Sequence, residues 1–405
     1  MVKSAPRVAL VLAAATESGG ALSYERLVLR NLTRLGVSRP EFVLISISKK
    51  TRRRAECSSS EIHLKISRRH EIGSFLRSNI LGWRMLQAVG LKRSKLERFL
   101  ISNRVDLVFF LSPNILALGV RNVPMVTTVW DLAHRDLPEF PEFSGGSYFL
   151  DREYFFRDTV ARSSLVVVDS ADTALKLSAI YGLFSERAFV LPFNALLAVQ
   201  KILPSRDVRH IPPQERCPRL IYPAQFWPHK RHLLLLRAFA LVLAEFPSAL
   251  LFLTGSDKGN MGRVLNEIKK LGLDQSVVLC GFLDRSDLNQ LMESCDLLVF
   301  PSELGPTNLP PHEAQQLGIP SLVSPSHALE KCNGTIGRVS RQDPVSWASE
   351  ICRLLRSDSR DLFSEPNDQV AFLESRMTAL ISRFNAILEL EDEWGGPSEK
   401  YRRVD

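Results

Sequence analysis

The sequence predicts an α/β protein built from two doubly wound parallel-sheet domains, and two observations support this prediction. Short apolar or β-branched runs alternate with segments of helical period along most of the chain. Strands that are apolar throughout and separated by helices are typical of parallel sheets covered on both faces. The length of 405 residues also exceeds what one hydrophobic core usually organises.

The predicted strands divide into two groups around a break. The alternation stops at 203–219, a stretch rich in proline and charge that is typical of an interdomain linker, and then restarts. We therefore expect an N-terminal domain over 1–205 and a C-terminal domain over 206–369. Residues 370–405 form a final helix and tail with the reach to pack back on the N-terminal domain. The predicted strands are 8–14, 41–47, 106–112, 125–131, 165–170, 189–192, 220–224, 249–255, 277–282, 296–300 and 321–324.

Composition indicates a soluble globular protein, with 45% hydrophobic and 24% charged residues. The six cysteines are scattered without a C-x-x-C pair, which argues against a structural zinc site or a disulfide scaffold and indicates a reducing compartment. No apolar run reaches the roughly 18 residues of a membrane span. At the N-terminus, Lys3 and Arg7 before VALVLAAA resemble a signal peptide, but a buried first strand followed by a glycine turn fits this short run better.

Positive charge is concentrated between Lys49 and Arg98. The chain carries a net charge of +8, and this stretch holds fourteen Lys and Arg against four Glu. Apolar residues such as Trp83 are interleaved with these cations. The alternatives are a solvated helix face or a helix that binds a membrane surface. Nucleic acid is a weaker candidate, because no zinc-finger, RNP-like or helix-turn-helix pattern is present.

Two loops that follow predicted strands of the first half carry candidate binding residues. Ligands of doubly wound sheets bind beyond the carboxyl ends of strands. Gly19 and Gly20 follow the first strand and permit close backbone approach to a ligand, although the loop lacks G-x-G-x-x-G. Asp131 and His134 follow the strand at 125–131 and place titratable groups at the same edge. A plain turn and a capping Asp with an exposed His are the respective alternatives.

Two further loops carry candidates in the second half. In PAQFWPHKRH, Lys230 and Arg231 stand at a predicted helix start, where the helix dipole disfavours cations, so that a bound anion is indicated. The stretch VFPSELGPTNLPPHEAQQLG places Glu313 in the first turn of a helix, where it either caps the helix or accepts the vicinal hydroxyls of a ribose. Backbone N–H groups of the preceding turn are also candidate ligand contacts, at Thr307, Asn308 and Leu309.

These residues lie in a segment that resembles a known family. The runs LIYPAQFWPHKRHLLLLRAFALVLAEFPSALLFLTGS and VVLCGFLDRSDLNQLMESCDLLVFPSELGPTNLPPHEAQQLGIPSLVS resemble the family-4 retaining glycosyltransferases. The likeness is strong over 215–345 and fainter in TTVWDLAHRDLPEF. It implies the GT-B fold, with two facing Rossmann-like domains and a cleft between them. It also implies transfer of a sugar from a nucleoside-diphosphate sugar with retention of configuration, without a bound metal or other cofactor.

The resemblance assigns roles to the candidate residues. Glu313 is similar to the glutamate that binds the ribose, and Lys230 to the lysine that meets the diphosphate. Asp131 and His134 would orient the sugar near the acceptor, as the catalytic residues. The loop that contacts the donor sugar and phosphates contains Thr307, Asn308 and Leu309, and the glycine loop facing the cleft contains Gly19 and Gly20.

Three positions depart from the family pattern. Gly305 stands where the first signature glutamate is expected, and Gln225 stands where an arginine usually accompanies the lysine. Trp130 replaces the histidine expected before Asp131, which leaves His134 as the nearest imidazole. Gly305 and Trp130 keep open the alternative of a non-catalytic scaffold that binds a sugar nucleotide. A sugar-nucleotide epimerase, another enzyme class on the same fold, is a second alternative.

The expected partners follow from the family resemblance and from the basic stretch. They are a nucleotide-sugar donor, a glycan or lipid-linked acceptor and an anionic membrane surface, and no nucleic acid. We expect a cytoplasmic protein, with peripheral attachment to the inner face of the membrane through the basic stretch.

Overall fold

The computed structural model describes residues 5–12, 20–34, 40–47, 61–77, 80–88, 90, 93–192, 217–304, 308–325, 336–357 and 367–393. Several sequence expectations fall outside these ranges: Gly19, Gly305, Thr307, the cluster at 49–54 and most of the linker at 203–219. The side chains of Arg68 and Trp83 also lie outside the described part.

Seven parallel strands form the first sheet, in the order β3-β2-β1-β4-β5-β6-β7. Every residue of the three strands β4 to β6 is buried. Because successive side chains of a strand point to opposite faces, both faces of this sheet are covered. The strands are β1 (Arg7–Leu12), β2 (Glu41–Ser46), β3 (Glu61–His63), β4 (Leu107–Phe110), β5 (Met125–Val129), β6 (Leu165–Val168) and β7 (Ala188–Val190).

The helices of this half of the chain connect the parallel strands. A parallel pair needs a crossover, which is usually helical, and this explains the alternation seen in the sequence. The helices are α1 (Gly20–Arg34), α2 (Arg68–Arg77), α3 (Ile80–Ala88), α4 (Lys95–Ser102), α5 (Ala133–Asp136), α6 (Pro141–Ser144), α7 (Tyr148–Arg162) and α8 (Ala171–Tyr181), with 3-10 turns at Ile115–Gly119 and Ser185–Arg187.

Six parallel strands form the second sheet, in the order β10-β9-β8-β11-β12-β13. They are β8 (Arg219–Pro223), β9 (Leu250–Thr254), β10 (Val277–Gly281), β11 (Leu297–Phe300), β12 (Ser321–Val323) and β13 (Ile336–Arg338). The order reverses between β8 and β11, which makes this pair the topological switch point of the sheet. The helices are α9 (His232–Val242), α10 (Met261–Leu271), α11 (Arg285–Glu293), α12 (Leu309–Gln316), α13 (Pro344–Arg356) and α14 (Asn367–Glu393), with a 3-10 turn at Pro228–Lys230.

The prediction of two doubly wound parallel sheets is confirmed. Each predicted strand is present, with ends that differ by at most a few residues. The sequence missed β3 and β13, which are three-residue strands at sheet edges. The residues of β3 (EIH) and β13 (IGR) include a single isoleucine each, so neither strand shows an apolar run.

Contacts divide the chain into two compact units that do not follow sequence order. The first unit comprises Met1–Leu132, Phe149–Leu196 and Asp368–Asp405, and the second comprises Ala133–Tyr148 and Leu197–Asn367. We call Ala133–Tyr148 the inserted segment, because it belongs to the second unit although the chain on both sides of it belongs to the first.

The long helix α14 packs in the first unit through one apolar face. Its buried residues recur at helical spacing, so they form a single stripe along the helix. Phe384 lies edge-on to Phe109 of β4 at a centroid distance of 5.6 Å, and Arg376 Nε donates to the Val190 carbonyl at 3.0 Å. Within the described ranges, no helix combines the length and the apolar character needed to cross a membrane. The stripe consists of Leu373, Met377, Leu380, Ile381, Phe384 and Leu388.

Loss of the Phe384 ring should destabilise the first unit. Phe384 has no exposed surface, so Phe384→Ala should cost about 3–5 kcal/mol of unfolding free energy through lost burial and a residual cavity. Leu390 on the same helix is 60% exposed, and Leu390→Ala should change stability by less than about 0.5 kcal/mol. Urea denaturation followed by circular dichroism measures both, and equal losses would contradict this packing of α14.

Candidate active site

The loops that follow β8 and β11 bring most of the predicted residues of the second half to one edge of the second sheet. β8 pairs with β11 in parallel, with Leu220 opposite Leu297. Their carboxyl ends therefore point the same way at the switch point, where doubly wound sheets bind ligands. Lys230 follows β8, and Glu313 follows β11 on helix α12.

Lys230 connects the two loops. It ends the 3-10 turn Pro228–Lys230, and its Nζ donates to Ser302 Oγ at 3.0 Å. The Tyr222 hydroxyl donates to the Lys230 carbonyl at 2.7 Å, and the ammonium lies 5.2 Å from the centroid of the Phe300 ring. These contacts hold a half-buried cation at the end of β11, which fits the sequence prediction of an anion site.

Ser302 is a site residue that the sequence reading missed. Its hydroxyl accepts from Lys230 and donates to the Leu304 carbonyl at 2.9 Å, and Ser324 Oγ donates to its carbonyl at 2.6 Å. Its position in the sequence could have indicated it, because Ser302 is the second residue after the buried strand β11, and ligand-binding residues of such sheets follow the strand ends.

Arg231 corrects one argument made from the sequence. Two cations at a helix start had no evident compensation, but Arg231 Nε lies 3.4 Å from Glu303 Oε1. Arg231 precedes α9 in a left-handed conformation with φ of 57°, which is uncommon for a residue with a Cβ. Burial raises the pKa of Glu303, and Arg231 opposes that shift. An internal carboxylate thus compensates Arg231, and the case for an external anion depends on Lys230.

Glu313 lies in the second turn of α12, not in the first turn as the sequence predicted. The helix begins at Leu309, so Glu313 is its fifth residue, and no acidic residue occupies the first turn. Capping is therefore the wrong interpretation. The side chain is buried, with 8% of the residue exposed, and Arg285 Nη2 at the start of α11 lies 2.9 Å from its Oε1. The carboxylate is thus placed to pair with Arg285 and not to cap the helix.

The residues around the start of α12 are partly described. Asn308 precedes the helix, and its Nδ2 donates to the Leu304 carbonyl at 3.2 Å. Leu309 is the first helical residue and is half-buried. Pro310 and Pro311 fill the start of the helix, where their missing N–H groups cost nothing. Gly305 and Thr307 lie outside the described residues, so their roles stay predictions.

Gln225 and a neighbouring glycine shape the loop after β8. Gln225 Oε1 accepts from Trp227 Nε1 at 3.1 Å, so the amide is engaged within its own loop. Gly255 follows β9 with φ of 132°, and a Cβ built there would lie 2.8 Å from the Gln225 Cα. Only glycine permits this approach of the two loops. The sequence reading missed Gly255, although a glycine directly after a buried strand was an available signal.

The two proposed catalytic residues lie in different units. In the first unit, Asp131 Oδ1 accepts from Arg152 Nη2 at 2.7 Å, and the same nitrogen donates to the Asp131 carbonyl at 2.8 Å. His134 lies in α5 of the second unit and has no exposed surface. Gly20 is the first residue of α1. The catalytic role of Asp131 and His134 stays a prediction.

The buried Glu313 makes a testable contribution to stability. Burial raises its pKa above the usual 4.5, and Arg285 opposes the shift. Below its ordinary pKa the carboxyl is neutral in both the folded and the unfolded state. Above that pKa the unfolded state ionises more readily than the folded state, in which the carboxyl is buried. The free energy of unfolding therefore falls as pH rises, until the folded-state pKa is passed.

Glu313→Gln removes this titration and keeps an oxygen acceptor for Arg285. The unfolding free energy of the parent minus that of the variant should therefore fall as pH rises above about 4.5. Urea midpoints and slopes across this range measure the difference. A difference that stays flat would show that Glu313 ionises without cost in its buried position.

Comparisons with known proteins place this site in a family context. Residues 217–357 match the family described as glycosyl transferases group 1. The uncharacterized glycosyltransferase YqgM of Bacillus subtilis (strain 168) is 32% identical over 106 residues, which cover 25% of this chain and 28% of that relative. The matched segment thus spans less than a third of the length of that relative.

Solved structures share the fold of nearly the whole chain. Anabaena Alr3699/HepE in complex with UDP and glucose is 17% identical, with a TM-score of 0.60 and coverage of 96% of this chain and 98% of that chain. A TarM mutant of S. aureus, in complex with fondaparinux, alpha-GlcNAc-glycerol and UDP, is 10% identical, with a TM-score of 0.63 and coverage of 95% and 99%. These likenesses show the fold, and the two Rossmann-like units are of the GT-B class.

Proposed function

Because the segment at 217–357 matches the family described as glycosyl transferases group 1, we propose that the protein is a glycosyltransferase that uses a nucleoside-diphosphate sugar. The observation that carries this proposal is the contact of Lys230 Nζ with Ser302 Oγ at 3.0 Å. It puts a cation between the two loops of the switch point, inside the matched segment. A diphosphate is an anion that such a cationic site can hold, and ligands of doubly wound sheets bind at this edge.

The proposed mechanism is electrostatic. Lys230 and the N-terminus of α12 stabilise the negative charge that develops on the departing diphosphate as the glycosidic bond breaks. Glu313 accepts the vicinal hydroxyls of the ribose, and Arg285 keeps its carboxylate oriented, as their 2.9 Å contact supports. Retention of configuration, a glycan or lipid-linked acceptor, and the orienting roles of Asp131 and His134 belong to this proposal as expectations from the family resemblance.

Transfer itself is the direct test. The protein is incubated with nucleoside-diphosphate sugars and a panel of glycan and lipid-linked acceptors, and products are followed by mass spectrometry and NMR. A new glycoside with the anomeric configuration of the donor supports the proposal. Epimerised nucleotide sugar in the absence of acceptor would favour an epimerase, and binding without any turnover would favour a scaffold.

Loss of the Lys230 charge should weaken donor binding. Lys230→Met keeps the length of the side chain but removes its charge-assisted hydrogen bonds to phosphate, so affinity for the nucleoside-diphosphate sugar should fall by about 1.5–3 kcal/mol. Lys269→Met removes an exposed cation from α10 of the same unit and should leave affinity unchanged. Isothermal titration calorimetry measures both, and parental affinity in Lys230→Met would refute the phosphate role of Lys230.

We further propose that the first unit attaches to an anionic membrane surface through α2 and α3. Three large apolar residues of these helices are exposed, Ile72, Leu81 and Met85, and Leu81 is 77% exposed. Arg69 and Arg84 on the same helices are exposed cations. Apolar side chains flanked by exposed cations fit the interface of an anionic bilayer, where each cation contributes about 1 kcal/mol. The proposed attachment thus rests on the described part of the basic stretch.

Vesicle flotation tests this attachment. The parent should float with vesicles that contain anionic lipid at low salt and be released as salt rises, because screening shortens the reach of the cations. The double variant Arg69→Gln/Arg84→Gln and the variant Leu81→Ser should both float less. Leu175→Ser changes a leucine of similar exposure on α8 and should behave like the parent. If the parent ignores anionic vesicles at low salt, α2 and α3 present only a solvated face.

A further inference from the structure

The inserted segment makes a buried polar contact with the Lys230 loop inside the second unit. Glu142 lies in α6, and its Oε1 accepts from the backbone N–H of His229 at 2.9 Å. The same oxygen lies 2.7 Å from His229 Nδ1. Both side chains are only 7% exposed. One carboxylate oxygen therefore fixes both the main chain and the ring of the residue that precedes Lys230.

Aromatic side chains surround the His229 ring that makes this contact. The Phe143 ring lies 5.0 Å from the imidazole, and the Phe140 and Trp227 rings lie 6.4 and 6.5 Å away. Burial, aided by the charge of Lys230, lowers the pKa of His229. Because a carboxylate oxygen only accepts, the Nδ1 atom that faces it carries the proton and donates to Glu142. This tautomer fixes the ring orientation against the aromatic side chains.

His229 also joins the loop that follows β11. Its carbonyl accepts the backbone N–H of Glu303 at 3.0 Å. One residue thus connects three stretches: the inserted segment through Glu142, its own turn at Pro228–Lys230, and the loop that contains Ser302. Lys230 and Ser302, which make the 3.0 Å contact of the proposed phosphate site, are the chain neighbours of the two joined residues.

The Glu142 carboxylate is costly to bury. Its second oxygen, Oε2, is buried and has no hydrogen-bond partner within the part of the chain that the structure describes. An unsatisfied buried acceptor costs free energy, more so on a charged group. Because this carboxylate is costly to bury, its role is better explained by the position in which it holds His229 than by a gain in stability.

We propose that Glu142 is a positioning residue that acts through His229 to hold Lys230 and the loop after β11 in the geometry that binds a nucleoside diphosphate. This inference rests on the proposed function and deepens it by adding a residue from outside the matched segment 217–357. The physical reason is the sensitivity of phosphate contacts to placement, since a displacement of about 1 Å can cost about 100-fold.

Calorimetric titration with nucleoside diphosphates (UDP, GDP, ADP and dTDP) tests the inference. Glu142→Leu removes the acceptor and should weaken the tightest of these ligands by about 10- to 100-fold. Glu142→Gln keeps an oxygen at the same reach and should retain most of the affinity. Glu153→Leu removes a carboxylate of similar side-chain burial, 9% exposed against 7% for Glu142, from α7 of the first unit and should bind like the parent.

A double-mutant cycle separates positioning from general destabilisation. If Glu142 acts through Lys230, Glu142→Leu should have little further effect on affinity in the Lys230→Met background. A purely structural role predicts the same fold-loss in both backgrounds, and that result would overturn the inference. Thermal unfolding of each variant checks that the fold is intact.

A second comparison applies if Glu142→Leu does not fold. Glu142→Asp keeps the charge but shortens the reach, whereas Glu142→Gln keeps the reach without the charge. Positioning predicts tighter binding by Glu142→Gln than by Glu142→Asp, and the reverse order would overturn it. If the parent binds a nucleoside diphosphate and Glu142→Leu binds it equally well, this inference fails and the proposed function stands. If the parent binds none, the proposed function fails and this inference fails with it.

Discussion

The parallel pairing of buried strands is the constraint on which the second unit depends. β8 lies between β9 and β11, and both pairs are parallel. All three strands therefore end at the same edge, and the loops that follow them must share that edge. Gly255 reflects this crowding, because the loop after β9 approaches the backbone of Gln225 too closely for any Cβ. The meeting of Lys230 with Ser302 follows from strand direction and not from their separation along the chain.

Charge pairing at this edge follows from the same crowding. Arg231 contacts Glu303 and Arg285 contacts Glu313, and burial raises the pKa of both carboxyl groups while the arginines oppose it. The cost of burying each carboxylate is thus offset by a cation from another loop. A ligand that contacts one of these charged groups shares it with its internal partner. The measured affinity of the ligand is then the free energy of the new contacts minus that of any internal contacts that they weaken.

The sequence predicted the sheets well because their signal is local. An apolar run between turn residues is visible within one window, whereas the three residues of β3 or β13 are not. The turn that carries Glu313 was misplaced because the helix starts at Leu309 and includes both prolines, which moves the carboxylate into the second turn. Arg285 was missed because its contact with Glu313 joins two helices that are separate in the sequence, and no local period reports such a pair. The distance of 87 residues between Glu142 and His229 hid their contact in the same way.

The inserted segment contributes a residue to the surroundings of the proposed donor site. The family match covers 217–357, yet Glu142 lies far outside it and fixes the residue before Lys230. In the sequence, LPEFPEFSGG reads as a polar and aromatic connection between β5 and α7, without a period that marks it as structural. Phe140 and Phe143 pack against His229. These two aromatic side chains provide the apolar contacts by which the inserted segment packs on the Lys230 loop. The site is therefore assembled from two separate stretches of chain, and the geometry of Lys230 depends on a residue that belongs, by sequence alone, to the other half of the protein.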